Sequence, residues 1–115
     1  MSLLDRSFHD LTCERLREIE EHTKLRVDLF QRFKNWLDDP QGRADGERIK
    51  VGPGLKISKY LRDAEVFWLE IAEDQIIISG TNKLEKFSFD HVNSASKLMV
   101  DLMADHVHYR RADAA

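Results

Sequence analysis

The sequence predicts a two-layer α+β domain, an antiparallel β-meander of three to five strands with a long N-terminal helix and a C-terminal helix on one face. Three observations predict it. From Met1 to Asp39 there is neither Gly nor Pro, while Leu4, Phe8, Leu11, Ile19, Leu29, Phe33 and Leu37 recur at helical spacing. Between residues 48 and 89, short runs with strand character are separated by Gly-, Pro-, Asn- and Asp-containing turns. A second helical stripe then closes the chain. Helices laid on one face of an antiparallel sheet are the packing this order favours.

The chain of 115 residues forms one domain, residues 1–115, large enough to bury a core without staples. It divides into a first helix over 1–39, a loop and hairpin over 40–64, a meander over 65–89, a second helix over 90–111 and a tail over 112–115. Ser7, with Asp10 three residues later, resembles a capping box and starts the first helix near Phe8. Asp38, Asp39 and Pro40 stop it, and the acidic pair disfavours its last turn. A helix from Phe8 to Leu37 is about 45 Å long at 1.5 Å per residue. It overhangs a compact domain of this length, whose radius of gyration is ~13 Å. The mismatch points to a partner, most simply a second copy.

Residues 40–47 read as a loop. Arg48–Val51 and Leu55–Ser58 alternate around Gly52-Pro53-Gly54, where Pro suits the second turn position and Gly the positive φ of the third. Glu65–Ala72 and Gln75–Ser79 are the strongest strands. A tight turn at Glu73-Asp74 would pair Ile71 with Ile76 and Leu69 with Ile78 on one face; Glu-Asp is not the preferred Asn-Gly turn, and the alternative is a longer loop with a shifted register. Gly80-Thr81-Asn82 turns into Lys83–Phe89, which sends Phe87 and Phe89 toward the same core. Asp90 then caps a helix with the stripe Val92, Ala95, Leu98, Met99, Leu102, Met103 and His106. Arg110 and Arg111 suit its C-terminal end.

Alternation assigns the candidate sites. With Phe67, Leu69 and Ile71 facing the helices, Val66 and Trp68 face away, joined by Ile77 and Leu84 from neighbouring strands. Such an apolar patch marks a protein-binding surface, unless the 40–47 loop or the N-terminal residues cover Trp68. Arg15, His22 and Arg26 interrupt the apolar face of the first helix. They are candidate ligands for an anionic group, or long stems lying along the core edge, and they break a continuous heptad seam. Residues 40–64 carry a net charge of +3 and residues 65–90 a net charge of −4. Within the basic part, Arg43, Arg48, Lys50, Lys56, Lys59 and Arg62 lie near Tyr60, and Arg48, Lys50, Lys56 and Lys59 are the candidate anion- or nucleic-acid-binding set. Lysine on an edge strand also discourages edge-to-edge pairing, and a pI near 5.9 leans away from nucleic acid.

Catalytic chemistry finds little support. Cys13 and His9 are an i, i+4 pair, but no acyl-transfer signature surrounds them. Asp101, Asp105 and His108 share a helical face without the pattern of a structural zinc site, and His106 reads as a hydrogen-bonded core histidine. No metal or cofactor is expected. A single cysteine, no signal-peptide pattern and no run of about 20 apolar residues lead to the expectation of a cytoplasmic protein without a membrane partner. The expected function is a small protein-interaction module of the adaptor, inhibitor, immunity or chaperone type, not an enzyme, acting by surface binding as a homodimer. The alternative is a nucleic-acid-binding regulator that uses the basic hairpin 43–62.

Overall fold

The computed structural model describes residues 2–38 and 46–114, with side chains described as far as His108. The chain is two-layered. Helix α1 (Phe8–Leu37) leads into five strands, β1 (Glu47–Gly52), β2 (Lys56–Leu61), β3 (Ala64–Ile71), β4 (Gln75–Gly80) and β5 (Lys83–Ser88), and then helix α2 (Val92–Ala114). The strands form one antiparallel meander in sequence order. Of the loop expected over 40–47, residues 40–45, Arg43 among them, lie outside the described residues, as do the stop at Asp39-Pro40 and the side chains of Arg110 and Arg111; Gly46 is in a turn and Glu47 is the first residue of β1.

Helix α1 begins where Ser7 accepts a hydrogen bond from the Asp10 backbone N–H at 3.4 Å. One turn earlier, Ser2 and Asp5 form a reciprocal capping box around a 3₁₀ turn at Leu3–Asp5. Helix α2 is not capped by Asp90. A 3₁₀ turn at Phe89–His91 feeds directly into it, and Phe89 leaves the strand to sit half-buried beside α1.

The turns follow local chemistry. Gly54 takes φ +73° in the β1–β2 loop, and Asn82 takes φ +64° between β4 and β5. The expected register holds, with Ile71 opposite Ile76 and Leu69 opposite Ile78. Strand β2 runs on to Leu61 and reverses at Arg62-Asp63, with Arg62 at φ +56°. Its N–H is held by the Gly46 carbonyl at 2.8 Å.

The core lies between the sheet and both helices. Ile57, Phe67, Leu69, Ile71, Ile76 and Ile78 meet Leu29, Phe30, Phe33 and Leu37 of α1 and Ala95, Leu98 and Met99 of α2. Helix α2 comes so close to β4 that a Cβ on Gly80 would stand 2.7 Å from Leu102 Cδ2. Strands of six to eight residues span about 20–27 Å, so both helices outrun the sheet. Helix α1 leaves it past the β3–β4 turn and α2 past the β4–β5 turn. The molecule measures 72 × 24 × 21 Å with a radius of gyration of 18.9 Å.

Candidate functional site

Among the described residues, exposed large apolar side chains gather at the free end of α1. Its inward face supplies core residues from Leu29 onward, and the same face continues toward the N-terminus as Ile19, Leu11 and Phe8 with no sheet beneath it. Phe8 is 86% exposed and Leu4 95%. Arg6 pairs with Glu14 and folds the N-terminal turn back along the helix, so that Leu3, Leu4, Phe8, Leu11 and Leu16 line an open apolar cradle. The Arg6 guanidinium holds the Glu14 carboxyl below the usual carboxylate range. We refer to residues 2–21 as the arm.

The arm is anchored where it meets the sheet. Arg26 donates to the carbonyls of Ala72 at 2.9 Å and Ile71 at 3.0 Å, and His22 donates to the Glu73 carbonyl. The His22 ring also stacks on Phe89 at 5.9 Å. Two of the three polar residues that interrupt the apolar face thus cap the β3–β4 hairpin. The third, Arg15, is on the arm and pairs with Glu18 at 3.0 Å. Residues 15, 22 and 26 therefore do not converge on a ligand. Nor does His106 join His22, because it lies beyond Leu102 at the opposite end of the sheet. Among the described residues its Nε2 is buried with no hydrogen-bond partner, contrary to the expected satisfied histidine.

Two expected surface residues belong to the core. A bulge in β3 pairs Lys59 with Phe67 and Tyr60 with Glu65, leaving Val66 as the extra residue. Its side chain turns inward and is 4% exposed, so Val66 is not part of the far-face patch. Lys59 is 6% exposed and donates to the Leu37 carbonyl at 2.7 Å. It satisfies an orphan carbonyl at the end of α1 and complements the helix dipole there, so it does not belong to a surface basic set.

The far sheet face is mixed. Trp68 and Ile77 are half-buried and Leu84 is exposed, but Ser58 and Ser79 flank Trp68, and Glu70 and Lys86 flank Ile77. Lys56 lies 4.4 Å from the Trp68 ring centroid, and Arg48 lies 4.4 Å from that of Tyr60. Arg48, Lys50 and Lys56 thus share this face with two aromatic rings.

A groove of about 700 Å³ separates α1 from α2, lined by Leu29, Arg32, Phe33, Trp36, Val92 and Ser96. The groove and the half-exposed Trp36 were absent from the sequence expectation. The available signal was helical phase, since Trp36 sits about 60° from Phe33 at 100° per residue.

Cys13 Sγ and His9 Nε2 are 3.6 Å apart on the exposed arm. Among the described residues no cluster of His, Cys, Asp or Glu could hold a metal ion, and no helix is long and apolar enough to cross a membrane. No family model matches the chain, and no curated protein or solved structure matches it either.

Proposed function

We propose that this chain is a small protein-interaction module that acts by surface binding and self-associates, with the arm as its working surface. One observation carries the reading. A single amphipathic helix buries its apolar face against the sheet in its C-terminal half and leaves the same face bare in its N-terminal half. Exposed apolar surface of this extent, rimmed by charge, favours association over solvation. A cytoplasmic adaptor, inhibitor or regulator is the class of protein that fits such a surface. The far-face residues Trp68, Ile77 and Leu84 form a second, more polar surface for a protein partner.

The test is solution mass by size-exclusion chromatography with light scattering on the full chain over a concentration series. The expected result is a dimer near twice 13.5 kDa that Phe8→Asp reduces to a folded monomer. A monomer at every concentration overturns self-association.

A second reading has its own observation. Arg48, Lys50 and Lys56 emerge beside Tyr60 and Trp68 on one sheet face, and basic residues interleaved with aromatics suit single-stranded nucleic acid. Binding of a labelled oligonucleotide that weakens steeply with salt and is lost in Lys50→Ala/Lys56→Ala would favour it.

A further inference from the structure

We infer that a second copy lies antiparallel along α1, with Phe8 of each copy against Leu25 of the other and Arg15 against Glu18. This rests on the reading of the arm as a self-associating surface and specifies its geometry. Phe8, Leu11, Arg15, Glu18, His22 and Leu25 follow one another at alternate spacings of three and four, the spacing of a helix–helix seam, in which Arg15, Glu18 and His22 are the polar positions that interrupt the apolar heptad. The same repeat continues through Leu29 to Trp36, both in the wall of the groove between α1 and α2. The seam therefore starts on the bare arm and ends in the groove of the same molecule.

Charge decides the orientation. Side by side in parallel, Arg15 would meet Arg15 and Glu18 would meet Glu18. Arg15 already pairs with Glu18 of its own chain at 3.0 Å; antiparallel, with position 15 facing position 18, the two pairs meet with opposite charges opposed and form one four-charge cluster across the interface. That register also sets Leu11 against His22 and Phe8 against Leu25, which is half-exposed. It carries the N-terminal turn of each copy, with the almost fully exposed Leu4, toward Leu29 and Val92 at the mouth of the other copy's groove. On one flank Glu14 approaches Glu21, a repulsion that the Arg6–Glu14 pair moderates.

The apolar surface that two such arms remove from water is on the order of 1,000 Å² in total, at the lower edge of specific interfaces. The dimer is accordingly weak and concentration-dependent. Its two ends are equivalent, as an isologous two-fold contact requires.

Cysteine cross-linking in full-length chains carrying Cys13→Ser tests the register. Chains with Phe8→Cys are mixed with chains carrying Leu25→Cys at about 100 µM, a concentration suited to a weak interface, and mildly oxidised. The mixture retains one native Phe8–Leu25 contact, so the substitutions do not remove the seam. Covalent dimers from the mixture, and none from either chain alone, are expected. Covalent dimers from Leu25→Cys alone would mean parallel pairing and overturn the proposal. Dimer by light scattering without any cross-link would overturn the register while leaving self-association standing. A monomer throughout would remove both. As a second readout, Arg15→Glu and Glu18→Arg should each weaken the dimer about tenfold, and mixing the two should restore it. No recovery on mixing would exclude the Arg15–Glu18 contact.

Discussion

Replacing Arg26 tests how the arm is held. Its guanidinium bridges two consecutive carbonyls, those of Ile71 and Ala72, where β3 ends, and the side chain is half-buried. A hydrogen bond from a charged donor contributes about 1.5–3 kcal/mol where water is excluded. Partial exposure lets water take over some of the work, so Arg26→Met should cost about 2–3 kcal/mol in total. For a domain of this size that lowers Tm by about 10 °C. Arg26→Lys keeps the charge but reaches one carbonyl, and should recover about half the loss. Urea unfolding of the three proteins gives the series directly. A Met variant within ~0.5 kcal/mol of wild type would refute the reasoning. Leu29, Phe30, Phe33 and Leu37, with the His22 and Lys59 hydrogen bonds, would then be fixing α1 on the sheet.

Other consequences are as concrete. Lys59→Met removes the bond to the Leu37 carbonyl but also relieves an ammonium of its burial, so the net cost should be about 1–2 kcal/mol in urea. Lys59→Ala, which also loses the packed stem, should cost about 3 kcal/mol. Glu14 titrates low because Arg6 stabilises its charged form. The Arg6–Glu14 tie is therefore complete above the ordinary glutamate pKa and is lost as pH falls through the depressed folded value. The Glu14 carboxyl midpoint by NMR should rise to the ordinary range in Arg6→Ala. Trp68→Ala should remain folded at a cost of about 1 kcal/mol, because the ring lies outside the core and loses mainly its Lys56 contact and cross-strand neighbours. Unfolding of that variant would make Trp68 a core residue.

The meander was legible because a two-residue turn and strict alternation leave few registers. Once Glu73-Asp74 is taken as the turn, Ile71 must face Ile76. Alternation also carried the position of Lys59. Ile57, Lys59 and Leu61 are two apart and share the inner face, whereas Lys56 and Lys59, three apart, cannot lie on one face. Treating the lysines as one charged stretch hid that parity. Val66 was not recoverable in the same way, because a bulge depends on how two strands meet. The end of β2 was missed because Arg-Asp is not a usual hairpin turn, although Arg62 takes positive φ there. His22 and Arg26 were correctly set on the inward face of α1. What they touch depends on where the β3–β4 hairpin ends beneath the helix, which helical phase alone does not determine.

The polar residues of α1 divide its apolar face into two parts with different fates. His22 and Arg26 stand where the sheet ends, and their hydrogen bonds to residues 71–73 stop the helix from sliding to bury more of itself. Without them, shifting α1 along the sheet by one turn would trade Leu37 for apolar residues nearer the N-terminus at little hydrophobic cost. With them, that shift breaks three hydrogen bonds and withdraws the Leu37 carbonyl from Lys59. The anchors thus set the length of the arm and keep Phe8, Leu11 and Ile19 beyond the reach of the chain's own core. An apolar face held out in this way can be buried only by another surface. On the pairing proposed above, the charges on the arm, alternating in sign through Arg15 and Glu18, favour an antiparallel copy of the same helix over a parallel one.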